Sequence, residues 1–245
     1  MSNSFFQFRQ FTVRQEHCAM KVGTDGTLLG AWARGGNRVL DIGTGTGLIA
    51  LMMAQRFPKA YVRAIDIDAD ACRQAHENAL ASPFAERISV EHASLQRFCD
   101  ERLHGAGGQH DDRFARFDSI VSNPPFFVHS LRAPDAQRSV ARHADTLSYA
   151  DLFGCVARLL AHEGEFSAIV PFDCREPFMA QAYLHGLHLA RLCAVKTTPR
   201  KQPRRYLLAF CRHSVHAVEQ TEGVIDDAPN QKSAWYSQLT RDFYL

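Results

Sequence analysis

Arg38-Val39-Leu40-Asp41-Ile42-Gly43-Thr44-Gly45-Thr46-Gly47 reads as a buried strand running into alternate glycines. Leu48 through Phe57 follows as an almost wholly apolar helix, closed by Pro58. Strand, glycine loop and helix in this order make the mononucleotide-binding half of a doubly wound α/β fold. Glycines let the loop pass close to a ligand, and the helix start supplies free N–H groups. The dinucleotide pattern G-x-G-x-x-G would need Gly or Ala at 48, where the residue is Leu. What marks this loop instead is Asp41, two residues ahead of the first glycine.

Downstream, Ala60-Tyr61-Val62-Arg63-Ala64-Ile65 reads as a second strand ending at Asp66. That carboxylate stands where a doubly wound nucleotide site places the acid that holds ribose hydroxyls. The other reading is an N-cap for the helix over 68–81, a job Asp68 does equally well. A third strand, Arg87 to His92, is followed by Ser94. A fourth, Phe117-Asp118-Ser119-Ile120-Val121, runs into Asn123-Pro124-Pro125-Phe126.

Pro ends a ladder, so Asn123 falls at the carboxyl end of a strand, where open α/β sheets bind ligands. Two prolines stiffen the turn and hold Asn123 extended. The Asn side-chain carbonyl and the Pro124 carbonyl are then two acceptors aimed at one spot, with the Phe126 ring beside them. Such a group suits a planar NH2, as in an adenine or a carboxamide. Accepting two hydrogen bonds from the amino nitrogen frees its lone pair for attack. Taken alone, the segment also reads as a structural Pro-Pro turn.

The remaining chain fills out this frame. Residues 5–13 alternate aromatic and polar, predicting a short strand or hairpin outside the main sheet. Lys21 to Gly26 is a Gly-rich turn with Thr24 or Asp25 as N-cap of a short helix over 27–32. Its glycines serve either the turn or a close approach to a ligand. Residues 105–113 read as a surface loop, and the Arg- and His-rich stretch 127–147 as a substrate lid. Tyr149, Leu152, Phe153, Val156, Leu159 and Leu160 mark an amphipathic helix ended by Gly164. A strand over 165–170, a helix over 174–186, and strands over 189–197 and 205–211 follow. Between the last two, Lys196, Arg200, Lys201, Arg204 and Arg205 occur without an acidic residue, as in a phosphate clamp. Residues 233–245 read as a helix docked on the domain.

Composition narrows the class. The 245 residues include 46% hydrophobic and 22% charged, with a formal charge of +2, so partners must be argued from local charge. Seven cysteines without a CxxC pair argue against a disulfide framework and a structural zinc site. The histidines lack metal-binding spacing. The start lacks a secretion pattern, and no apolar run approaches the roughly 18 residues of a membrane span. These features point to a cytoplasmic protein without metal.

Asp41 with its three glycines resembles motif I of S-adenosylmethionine-dependent methyltransferases. The block Lys21-Val22-Gly23-Thr24-Asp25-Gly26-Thr27-Leu28-Leu29-Gly30-Ala31-Trp32 resembles the bacterial tRNA1(Val) (adenine(37)-N6)-methyltransferase family more closely. So do Leu40-Asp41-Ile42-Gly43, Ser122-Asn123-Pro124-Pro125, Leu207-Leu208-Ala209-Phe210 and the closing Asp242-Phe243-Tyr244-Leu245. The resemblance implies a Rossmann-like class I fold: a mostly parallel seven-stranded sheet with an antiparallel C-terminal hairpin. It implies one methyltransferase domain over 1–245, with residues 1–34 closing the cofactor site; a monomer is the expectation.

It further implies methyl transfer from S-adenosylmethionine to N6 of adenine 37 in a valine tRNA. The base would be splayed out and stacked on Phe126, with Asn123 and the Pro124 carbonyl accepting from N6 and Pro125 holding the turn. Asp41, Gly43, Gly45, Gly47, Asp66 and Ser94 would hold the cofactor, with Thr24 and Gly26 closing over it. Two departures stand out: Ser94 replaces the acid many methyltransferases use to read the adenine amino group, and Phe126 stands where adenine-acting relatives often have Tyr. Three rival readings follow: methylation of a protein glutamine amide, methylation of rRNA guanine N2, and a non-catalytic RNA-binding protein.

Overall fold

The computed structural model describes residues 4–18, 21–104, 116–124 and 147–245. In chain order these form β1 (Phe5–Gln7), β2 (Thr12–Arg14), α1 (Thr24–Trp32), β3 (Arg38–Ile42) and α2 (Leu48–Arg56). Next come β4 (Tyr61–Asp66), α3 (Ala69–Leu80), β5 (Ile88–His92), α4 (Leu95–His104) and β6 (Phe117–Ser122). Beyond residue 147 lie α5 (Tyr149–Leu159), β7 (Leu160–Pro171), α6 (Arg175–Leu184), β8 (His188–Lys196) and β9 (Arg205–Cys211). The chain closes with β10 (Glu219–Val224), β11 (Asp226–Ala228), β12 (Gln231–Lys232) and α7 (Ala234–Thr240).

Among the described residues eight strands make the central sheet, in the order β10-β8-β9-β7-β6-β3-β4-β5. β5, β4, β3, β6 and β7 are mutually parallel, and β9 runs antiparallel to both its neighbours, β7 and β8. The sheet has one strand more than expected, because β10 pairs parallel to β8 at the far edge. Its residues Glu219 to Glu222 are exposed, so no apolar run announces it.

Alternate strand residues face opposite sides, and each side has its own core. Val39, Val121, Ile169 and Leu207 face α1 and α2, together with Met52 and Phe243. Leu40, Ile120, Phe166 and Leu208 face α4, α5 and α6 through Phe98, Phe153 and Phe178. Burial on both faces is what makes these strands read as continuous apolar runs. α2 is apolar all round because α1 covers the side that the sheet does not.

Three boundaries differ from the sequence expectation. α1 starts at Thr24, capped by Gly23 rather than by Thr24 or Asp25. Asp25 pairs with Arg205 at the start of β9, which takes its carboxylate away from capping. α5 stops at Leu159 and β7 begins at once, so Gly164 lies inside a strand instead of ending the helix. A Cβ on Gly164 would sit 2.9 Å from the Phe117 carbonyl, so the glycine serves close strand packing.

Candidate active site

The order of strands reverses between β3 and β6: β4 and β5 lie to one side of the pair, β7 to the other. A crevice opens outside the carboxyl ends of the strands at such a switch point. Ile42 and Ser122 are register partners there, and the Ser122 hydroxyl donates to the Ile42 carbonyl at 2.9 Å. Immediately above, Gly43 opens one loop and Asn123 the other.

Gly43, Gly45 and Gly47 have φ of +70°, +56° and +82°, a left-handed run that side chains resist. A Cβ on Gly43 would meet nothing within 4 Å, whereas one on Gly47 would press on Ala75 at 3.3 Å. The loop therefore leans on α3 at Gly47 and is open at Gly43. Gly43 and Thr44 both donate N–H to the Ile65 carbonyl, at 2.9 and 3.0 Å, which ties the loop to β4.

Asp41 lies fully buried beneath this loop. Its Oδ2 accepts from the Thr44 hydroxyl at 2.7 Å and from the Ala50 N–H at 3.1 Å, joining both ends of the loop. Its Oδ1 has no hydrogen-bond partner among the described residues. Burial pushes the carboxyl up from 3.8 to about 7, against the pull of those two bonds, and the nearby Asp66 charge adds to the rise. An orphaned buried carboxyl oxygen beside an open glycine loop suits a cationic or hydrogen-donating ligand group.

Asp66 sits at the end of β4. Its Oδ2 accepts the Gly45 N–H at 2.8 Å and its Oδ1 the Asp68 N–H at 3.0 Å. Capping of α3 falls to Asp68, which accepts from the Asp70 N–H at 2.9 Å. Each Asp66 oxygen keeps a lone pair for a hydroxyl. Ile67 beside it is 55% exposed, an apolar surface next to this carboxylate that carried no sequence signal.

Other expected residues are placed less simply. The Ser94 hydroxyl accepts the Arg97 N–H at 3.2 Å in the first turn of α4. Gly26 is buried against α2, where an added Cβ would meet Leu48 at 3.0 Å, so it serves helix packing. Thr24 is exposed in the first turn of α1. Asn123 is half-buried at the end of β6 and Pro124 buried. Pro125, Phe126 and residues 127–146 of the expected lid lie outside the described residues, as do residues 105–113.

The N-terminal segment is fastened over the loop by two side chains of α3 that carried no sequence signal. Asn78 accepts from Arg14 N–H at 2.9 Å, and its amide donates to the Arg14 and Thr46 carbonyls at 2.8 and 2.9 Å. Gln74 accepts from the Glu16 and His17 N–H groups at 3.1 and 3.2 Å. The Cys18 sulfur lies 3.7 Å from where a Gly45 Cβ would be.

The basic hairpin loop rises from the same edge, since β8 ends there and β9 starts there. Lys196 pairs with Glu222 at 2.8 Å and Arg205 with Asp25. Arg200, Lys201 and Arg204 are exposed, and none of the three has an ion pair among the described residues. Among the described residues no group of three His, Cys, Asp or Glu side chains could hold a metal ion. No described helix is long and apolar enough to cross a membrane.

The chain is similar to known proteins. Residues 26–149 match the family model of the methyltransferase small domain. The tRNA1(Val) (adenine(37)-N6)-methyltransferase of Phocaeicola vulgatus is 48% identical over 247 residues, covering 100% of this chain and 99% of the relative. That of Flavobacterium johnsoniae is 40% identical, covering 98% and 99%. The chain belongs to the tRNA1(Val) (adenine(37)-N6)-methyltransferase family. A predicted O-methyltransferase from Agrobacterium tumefaciens shares the fold, with a TM-score of 0.66 at 18% identity over 89% of this chain and 96% of that one.

As a methyltransferase of this family, the protein takes its methyl group from S-adenosylmethionine. The residues fit that donor. Orphaned Asp41 Oδ1 suits its cationic end, the open Gly43 face its passage, and the free lone pairs of Asp66 its ribose hydroxyls. Ile67 offers a flat apolar surface to its adenine.

Proposed function

We infer that the protein methylates N6 of adenine 37 in the anticodon loop of a valine tRNA. The observation that carries this reading is the Ser122–Ile42 bond, which sets Asn123 directly beside the glycine loop. The donor and the amino nitrogen then meet across one crevice. When bound, S-adenosylmethionine supplies an electrophilic methyl on its sulfonium. The Asn123 side-chain carbonyl and the Pro124 main-chain carbonyl would accept hydrogen bonds from the N6 amino group and hold its lone pair toward the donor, and the proton N6 sheds on methylation would pass to water. Asn has no useful basicity, so rate comes from position and lone-pair release. Phe126 keeps the stacking role assigned by sequence.

Three exposed cations on the same sheet edge support an RNA substrate, whereas a glutamine side chain on a protein would have no use for them. The reading treats residues 1–245 as one methyltransferase domain whose first 34 residues close over the cofactor loop. Among the described residues, exposed large apolar side chains are spread over separate segments, which suits a monomer.

The test uses labelled S-adenosylmethionine, purified protein and total tRNA from a strain lacking the gene. Label in N6-methyladenosine of valine tRNA is expected. Label in added protein, in rRNA guanine or in no pool would overturn the reading. Asn123→Ala should abolish turnover and leave cofactor affinity nearly unchanged.

A further inference from the structure

Phe172 is a large aromatic residue left 50% exposed at the carboxyl edge of the sheet, while Phe153, Phe166, Phe178 and Phe210 nearby are fully buried. It follows β7, the strand next to the one that ends in Asn123. Ser122 pairs with Ala168, and β7 continues three residues further to Pro171. Phe172 thus stands roughly 10 Å beyond the level of Asn123 and about one strand spacing, roughly 4.8 Å, to its side.

The residue is held firmly for an exposed one. Its N–H donates to the Arg204 carbonyl at 3.0 Å, which fixes it to the end of the basic loop. Its ring centroid lies 6.1 Å from that of Tyr206, a side chain only 6% exposed. Tyr206 also takes the Arg175 guanidinium 4.8 Å from its centroid. Of the two carboxylates in the same turn, Glu176 is paired with Arg175, and Asp173 has no ion pair among the described residues. The exposed Arg200, Lys201 and Arg204 outnumber it.

Among the described large exposed apolar residues, Ile67 and Phe172 are the two that follow parallel strands at this edge. They flank Asn123: Ile67 on the cofactor side, Phe172 on the other. A rigid aromatic face among cations is how proteins hold an unpaired nucleobase. We propose that Phe172 is a stacking platform for a nucleobase next to the target adenine in the RNA substrate. The target base is splayed into the crevice at Asn123, and its neighbour on the strand lies on the Phe172 ring. The proposal rests on the tRNA reading above and deepens it.

The test measures binding of unmodified full-length valine tRNA, with no cofactor present, to wild type, Phe172→Ala and Phe172→Trp. Stacking on one base predicts a loss of roughly ten- to a hundredfold for Phe172→Ala. Phe172→Trp should stay within about threefold of wild type. The salt slope should be the same in all three, because a stack releases no counterions. Cofactor affinity, measured separately, should not move. Phe172→Ala binding within about twofold of wild type would overturn the proposal. So would a Trp variant as weak as Ala, or a loss of cofactor affinity. Wild-type protein that binds this tRNA without methylating it would sink the tRNA-methylation reading and leave the stacking result to be judged by itself.

Discussion

The Ser122 hydroxyl donates to the Ile42 carbonyl across the β6–β3 pair at 2.9 Å, one residue before Asn123 and one before Gly43. The bond fixes the two halves of the site to each other at the topological switch point. Ser122→Ala removes a buried hydrogen bond and should cost about 1 kcal/mol of stability. Turnover should fall several-fold more than cofactor affinity, because the acceptor shifts relative to the donor. A lower melting temperature with unchanged turnover would reduce Ser122 to a structural role.

With Asp41 at the cofactor's cationic end, as proposed, cofactor affinity is expected to depend on pH. Its carboxyl is raised from 3.8 to about 7 by burial, so the folded protein holds this proton more tightly than the unfolded chain. Stability from this group is fully present below about 3.8 and is lost as pH rises through about 7. A cationic ligand group at Oδ1 reverses the preference and expels the proton. Cofactor affinity should therefore rise with pH up to about 7, at most tenfold per unit, and flatten above. Titration calorimetry in buffers of different ionisation heat should show proton release near neutrality in the wild type. Asp41→Asn should show none; equal release in both would place the effect elsewhere.

Asn78 joins the N-terminal segment to the cofactor loop through three hydrogen bonds at 1% exposure. Asn78→Ala leaves the Arg14 and Thr46 groups unsatisfied and should lower stability by about 2 kcal/mol. The stabilisation gained on adding S-adenosylmethionine should shrink as well, because the N-terminal segment loses one of its ties to α3 and its tie to the Thr46 carbonyl of the glycine loop. Thermal melts with and without cofactor check this. An unchanged ligand-induced shift would separate the N-terminal segment from the cofactor site.

How much of this was legible depended on how local each signal was. β3, its glycine loop and α2 announce themselves, because burial on both faces and three left-handed positions constrain consecutive residues. Asp66 stood out by its distance from the loop. Asn78 and Gln74 did not, since their partners lie 64 and 58 residues away and are backbone groups of any residue type. β10 was missed because an exposed edge strand needs no apolar pattern. The start of α1 was misplaced because Asp25, a good cap by type, is drawn into a pair with Arg205. The basic run was visible, but which of its cations are already spent was not.

That last distinction gives a quantitative test. Lys196 and Arg205 are paired with Glu222 and Asp25, whereas Arg200, Lys201 and Arg204 are exposed. Each cation that neutralises a phosphate of a single strand contributes about 0.7 to the salt slope of binding. Replacing Arg200, Lys201 and Arg204 by Gln should lower the slope for tRNA by up to about 2 and weaken binding most at low salt. Lys196→Gln should leave the slope nearly unchanged. Arg205→Gln should act on stability instead: burial already raises the Asp25 carboxyl, and the Arg205 guanidinium is what opposes that rise. Without it the carboxylate loses its counter-charge, and the N-terminus of α1 loosens from β9. Measuring tRNA affinity at several salt concentrations for the three variants separates the cases. A slope lost with Lys196→Gln and kept in the triple variant would put the RNA path on the β8–β10 side of the loop.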